Sequence, residues 1–149
     1  MTKKVLLILL SIWWGWTVII DFAVVPTVFS VINDFFNAGE LGIALFSKLN
    51  NFELVISALL IVLSLKQGKL RLGLMICAWM IVMFYFSYLT PKLTHLTLLW
   101  KEADAAGLTG IAGIADVQQE HQFFHRVYVG LDSLKLLLLS FALVLNAKT

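Results

Sequence analysis

Four apolar runs, near residues 5–31, 44–65, 70–91 and 122–146, set the terms for any fold this chain can adopt. A helix needs about 20 residues to cross a hydrocarbon core of about 30 Å, and each run reaches that length. Backbone groups cannot go unpaired in lipid, and no run alternates polar and apolar residues with period two, so helices are expected rather than barrel strands. With 60% of its residues hydrophobic, 13% charged and a mean hydropathy of +0.92, the chain has little left from which to build a water-soluble domain. The expected fold is all-α: a single domain over residues 1–149, a polytopic membrane four-helix bundle in the lipid bilayer. The mixed stretch from Thr94 to Glu120 extends the third and fourth helices as a hairpin outside the membrane, turning at the glycine-rich GLTGIAG.

Charge placement gives an orientation. Lys3, Lys4, Lys66, Lys69, Arg71 and Lys148 fall on one side with no acidic residue among them, while all nine carboxylates, from Asp21 to Asp132, fall in the opposite half or beyond. The positive-inside rule then makes both termini cytoplasmic, as for a bacterial inner-membrane protein. The basic, apolar start resembles a signal peptide, but WWGWTVIID is bulky and lacks a small-x-small cleavage site, so it reads as an uncleaved first span. A net charge of +2 is too small to suggest nucleic acid, and the lone Cys77 allows no internal disulfide.

The chemistry-bearing residues gather on helix faces. His121, His125, Tyr128, Asp132 and Lys135 are spaced by four, three, four and three, which puts them within a sector of roughly 80° on one helix. That stripe runs into the apolar sequence LKLLLLSFALVL, where ionisable groups are costly unless paired or solvated, and a functional site is the default reading. Lys135 needs a carboxylate, with Asp132 at i−3 or Asp21 across the bundle as the candidates. A second stripe, Tyr85, Tyr88, Lys92 and His95, repeats the three, four, three spacing on the third run. Glu53 is placed at or just below the interface, where a solvated side chain is the simplest account. Trp13, Trp14 and Trp16 are expected to pack around Gly15 against another helix or to offer a stacking surface for a flat cofactor. Pro26 is expected to kink the first helix.

Several chemistries fit these residues. His121 and His125, one turn apart, can reach a single metal ion, and His95 with Glu53 or Asp21 could complete a Zn or Cu site; the alternative is two polar residues at the wet mouth of a helix. His95 facing His125 could ligate haem. Asp21, His125, Asp132 and Lys135 could form a proton or ion relay, or an anion pocket. Met75, Cys77, Met80 and Met83 offer soft ligands for Cu(I), against ordinary packing by methionine. No nucleotide loop or hydrolase elbow is present, and Ser133 points about 80° away from His125, against a serine-hydrolase set.

Short motifs along nearly the whole chain carry a family resemblance: Trp13 and Gly15 with Pro26 and Phe29, Gly39 and Gly42 after the first run, Leu89-Thr90-Pro91 closing the third, and Phe123 and His125 followed by Asp132 and Ser133. In these the chain resembles the transmembrane protein 205-like family of small four-span membrane proteins without an established biochemical function. The resemblance implies a four-helix membrane bundle. Eukaryotic relatives are associated with resistance to platinum drugs, and the family is distantly similar to copper-resistance membrane proteins, which implies metal handling. Asp132 and Lys135 depart from the family pattern. The leading expectation is a non-enzymatic, metal-binding membrane protein, with His121, His125, His95 and Glu53 as ligands. A structural or accessory subunit of a homo-oligomer or larger membrane complex is the alternative, and a haem-binding redox protein the third reading.

Overall fold

A computed structural model describes residues 2–108 and 112–147, and within these it contains helices and turns but no strand. Four helices are long and apolar enough to cross a membrane: α1 (Lys3–Val31), α2 (Phe35–Ser64), α3 (Lys69–Ala105) and α4 (Gly113–Ala147). At 37 and 35 residues, α3 and α4 exceed the span of a hydrocarbon core, and their surplus forms the expected hairpin. Lys148 and residues 109–111, part of the glycine-rich stretch read from sequence as the turn, lie outside the described residues.

Local chemistry sets the helix ends. The Asp34 carboxylate accepts the Asn37 N–H at 2.9 Å, an N-cap that starts α2 at Phe35. Asn37, Gly39 and Gly42, read from sequence as a connection ahead of residue 44, are therefore early turns of α2. Gly68 (φ 105°) joins α2 to α3, and Gly107 (φ 69°) ends α3, both in backbone conformations that favour glycine. At the second, the Leu108 N–H reaches back to the Ala103 carbonyl at 2.9 Å, the bond of a Schellman cap.

α1 and α3 share a further device. Each contains one π-helical turn, Ile20–Val24 and Tyr85–Leu89, and in each a proline follows two residues later, Pro26 and Pro91. Proline lacks the N–H for the i−4 bond and its ring crowds that carbonyl. A wider turn just before it absorbs the conflict and shifts the phase of the helix faces beyond.

The core repeats a three-and-four spacing on all four helices. Leu6, Leu10, Trp13 and Thr17 of α1, Glu53, Ser57 and Leu60 of α2, Met75, Ala78 and Val82 of α3, and Asp132, Lys135 and Leu139 of α4 are all buried. Near the termini the layers are mainly apolar, with Leu6, Leu10, Leu60, Met75 and Leu139 in one cluster and Ser64 the buried polar residue at the end of α2. Outward-facing positions carry large apolar side chains such as Phe22, Val55, Val62 and Leu137, each more than 60% exposed, the inverse of a water-soluble surface.

Candidate functional site: a buried charge centre

Above the apolar layers the bundle interior changes character. Glu53 of α2 has no exposed surface, and its Oε1 accepts from three groups. The Trp13 indole N–H donates at 2.9 Å and the Lys135 ammonium at 2.6 Å. The Thr17 hydroxyl lies 3.1 Å away, and is also within reach of the Trp13 carbonyl at 3.0 Å. Lys135, equally buried, sits 2.5 Å from Asp132 Oδ1, one turn earlier on α4. Its nitrogen is 5.4 Å from the centre of the Tyr85 ring, close enough for a cation–π contribution. Tyr85 stacks on Tyr128 with centroids 4.4 Å apart and donates its hydroxyl to the Tyr128 carbonyl at 3.3 Å. Asp21, in the π turn of α1, brings its carboxyl within hydrogen-bonding reach of Asp132. All four helices thus meet at one point, where three carboxylates face a single ammonium.

The polar atoms there are not all satisfied. Glu53 Oε2 and the Tyr128 hydroxyl are buried without a hydrogen-bond partner. Asp132 Oδ1 has the Lys135 nitrogen at ion-pair distance, 2.5 Å. Buried polar atoms left without a partner in so dry a setting are costly, and a carboxylate oxygen among them can take a proton.

The residues singled out from sequence divide into two groups. Tyr128, Asp132 and Lys135 line the charge centre, and Asp21 borders it. Lys135, expected on Asp132 or Asp21, takes Asp132 and Glu53, while Asp21 faces Asp132. His121 and His125 lie farther up α4, their rings parallel with centroids 6.4 Å apart and Trp100 edge-on to His121 at 5.7 Å. His95 is exposed in a groove between α2 and α3. The expected metal ligands are therefore dispersed: Glu53 is committed to Lys135, and among the described residues no group of three or more His, Cys, Asp or Glu could hold a metal ion. The second stripe is split as well, with Tyr85 buried and Tyr88 47% exposed, because the π turn Tyr85–Leu89 breaks the phase that a straight helix would keep.

Gly15 has nothing within 4 Å of where a Cβ would stand, so it is not the close-approach point that the surrounding tryptophans suggested. Trp13 is a buried donor to Glu53, Trp14 donates to Ser140 at 2.9 Å, and Trp16 lies half exposed against Phe52. Sequence reasoning missed Trp13 and Thr17 as partners of Glu53, and it missed the burial of Glu53. A signal existed, since Asn50, Glu53, Ser57 and Ser64 follow helical spacing on one face of α2 and all are buried.

Residues 8–100 match the family model described as a domain of unknown function (DUF4149). The match takes in Trp13, Thr17, Asp21, Glu53 and Tyr85, while Asp132 and Lys135 lie beyond it. No curated protein and no solved structure matches the chain.

Proposed function

We propose, for a chain that belongs to the DUF4149 family, that the charge centre is a proton-binding site inside a non-enzymatic integral membrane protein. The observation that carries this reading is the imbalance of three carboxylates around one ammonium. Two formal negative charges left over in a low-dielectric interior are untenable without a further counter-charge. A proton at the contact between Asp21 and Asp132 removes one of the two charges and supplies the donor that contact lacks, since two ionised carboxylates accept hydrogen bonds and neither donates. The groups facing that contact are Glu53 of α2, Tyr85 of α3, and Tyr128 and Lys135 of α4. Ionisable clusters at this depth recur in proton and ion pathways. Glu53 and Lys135 lie about 17 Å along their helices from Ser64 and Ala147, near the middle of a hydrocarbon core. The positive-inside rule, applied to Lys3, Lys4, Lys66, Lys69 and Arg71, puts that end of the bundle in the cytoplasm.

The test is infrared difference spectroscopy on purified protein in nanodiscs. A protonated-carboxyl band should respond to pH and to D₂O in the parent protein and disappear in Asp21→Asn. A band that ignores pH, or that persists in Asp21→Asn, refutes the proposal. Complete burial of Glu53 and Lys135 favours a second reading, a static register lock in a structural or accessory subunit, and a pH-insensitive band is its signature. Metal handling, implied by the transmembrane protein 205-like resemblance, has only the His121 and His125 pair in its favour, because Glu53 is engaged elsewhere.

A further inference from the structure

A groove of about 650 Å³ lies between α2 and α3, beside the π turn of α3. Along α2 its lining advances in steps of three residues, Ala44, Ser47 and Asn50, and one more step reaches Glu53. Each step rises about 4.5 Å and falls about 60° short of a full turn, so the stripe winds around the helix. Burial follows it inward: Ala44 and Ser47 are exposed, Asn50 is 1% exposed and Glu53 has no exposed surface. On the facing wall Thr90 and Thr94 of α3 continue the polar character, beside the apolar Phe86 and Leu98. Hydrogen bonding is incomplete along the stripe. Asn50 donates from Nδ2 to Thr90 Oγ1 at 2.8 Å while its Oδ1 has no partner, and one step deeper Glu53 Oε2 has none either. Buried polar atoms are nearly always paired, so two orphaned acceptors in succession call for a donor that enters by the groove. Water is such a donor, and Ser47, Asn50, Thr90 and Thr94 supply the two to four polar partners that an ordered water takes. Glu40, at the rim, is already held by Lys101 and leaves no unbalanced carboxylate there to select a cation instead.

Depth agrees with water. Asn50 lies about 21 Å along α2 from Ser64 and Glu40 about 36 Å, so the groove opens beyond a hydrocarbon core of about 30 Å and has its floor inside it. Toward the termini, by contrast, the layers past Glu53 are mainly apolar. We infer, resting on the proton-binding reading of the charge centre, that this groove is a water-filled vestibule open to the side distant from the termini, through which the centre exchanges its proton. A proton delivered by water held at Asn50 Oδ1 binds Glu53 Oε2 and leaves Glu53 neutral. Lys135, 2.6 Å from Glu53 and 2.5 Å from Asp132, then passes one of its own protons to Asp132 and regains one from Glu53. Glu53 ends ionised and Lys135 cationic, as they began, with the added proton at the contact between Asp132 and Asp21. The groups facing this path are Tyr85 of α3 and Tyr128 of α4 at the centre, and Glu40 and His95 at the rim.

Two readouts in nanodiscs test the route. In a Cys77→Ser background, Ser47→Cys is labelled with a cationic methanethiosulfonate reagent and compared with Val129→Cys, an outward-facing position 51% exposed on α4. The two depths match, about 26 Å along α2 from Ser64 and about 27 Å along α4 from Ala147. Only a thiolate reacts and hydrocarbon suppresses it, so Ser47→Cys should label about tenfold faster than Val129→Cys. Ala44→Trp fills the groove from its exposed rim without touching the bond between Asn50 and Thr90, and should remove that difference. The same substitution should slow the shift of the protonated-carboxyl band in D₂O by a similar factor. Ile43→Trp serves as a second blocking variant. Equal labelling of the two cysteines overturns the vestibule. An unchanged band shift in a folded blocking variant overturns it too, and moves the point of entry to half-buried Asp21. A parent band that ignores pH overturns the proton-binding reading itself, and this route with it.

Discussion

Lys135 holds Glu53 at 2.6 Å inside the bundle, and Lys101 holds Glu40 at 2.5 Å on the extended part of α3. By distance the two pairs are almost the same interaction. By setting they are opposites, with both side chains of the first fully buried and those of the second 40% and 44% exposed. Water can replace either partner of the outer pair, whereas it has no access to either partner of the inner one. Separation therefore says little about how much the fold depends on a pair, and the surroundings say nearly everything.

Three measurements press on that contrast, each read as unfolding free energy in detergent. The largest effect belongs to Lys135→Met, which strands Glu53 and Asp132 without their cation and should cost about 3–5 kcal/mol. Adding Glu53→Gln should recover part of the loss, and a double variant as unstable as Lys135→Met plus the separate cost of Glu53→Gln would break the distinction. Trp13→Phe keeps an aromatic side chain in place but deletes a donor to Glu53 Oε1; it should cost about 1.5–3 kcal/mol, the range for a hydrogen bond to a charged group. Smallest is Lys101→Ala, expected at about 0.2–1 kcal/mol and fading in 1 M salt. If it rivalled Lys135→Met, the setting would not be what matters. The Lys92 to Glu120 pair, at 2.8 Å with the glutamate 44% exposed, belongs with Lys101 and should behave as it does.

The helical bundle was legible because lipid leaves the backbone few options, and four apolar runs of sufficient length imply four helices. The charge centre was legible on α4, where Asp132 and Lys135 interrupt an apolar face, and illegible on α2 for a physical reason. Glu53 lies nine residues, about 14 Å, past residue 44 and so already near mid-core, but the groups that let it stay there, Trp13, Thr17 and Lys135, come from other helices, and the spacing along α2 alone does not announce them. The histidine stripe misled in a different way. Helical spacing fixes a face but not its neighbour, and where α4 rises beyond the charge centre that face meets Trp100 of the hairpin rather than the core. On α3 the proline and its π turn break the periodicity on which stripe reading depends.

The 82 residues that separate Glu53 from Lys135 also order events during synthesis. At ribosomal rates of about 5–20 residues per second, α2 is in place on the order of ten seconds before the lysine exists. Through that interval Glu53 already has two donors from the helix made first, the Trp13 indole and the Thr17 hydroxyl. α1 is thus suited to chaperone the glutamate within the chain until the last helix inserts.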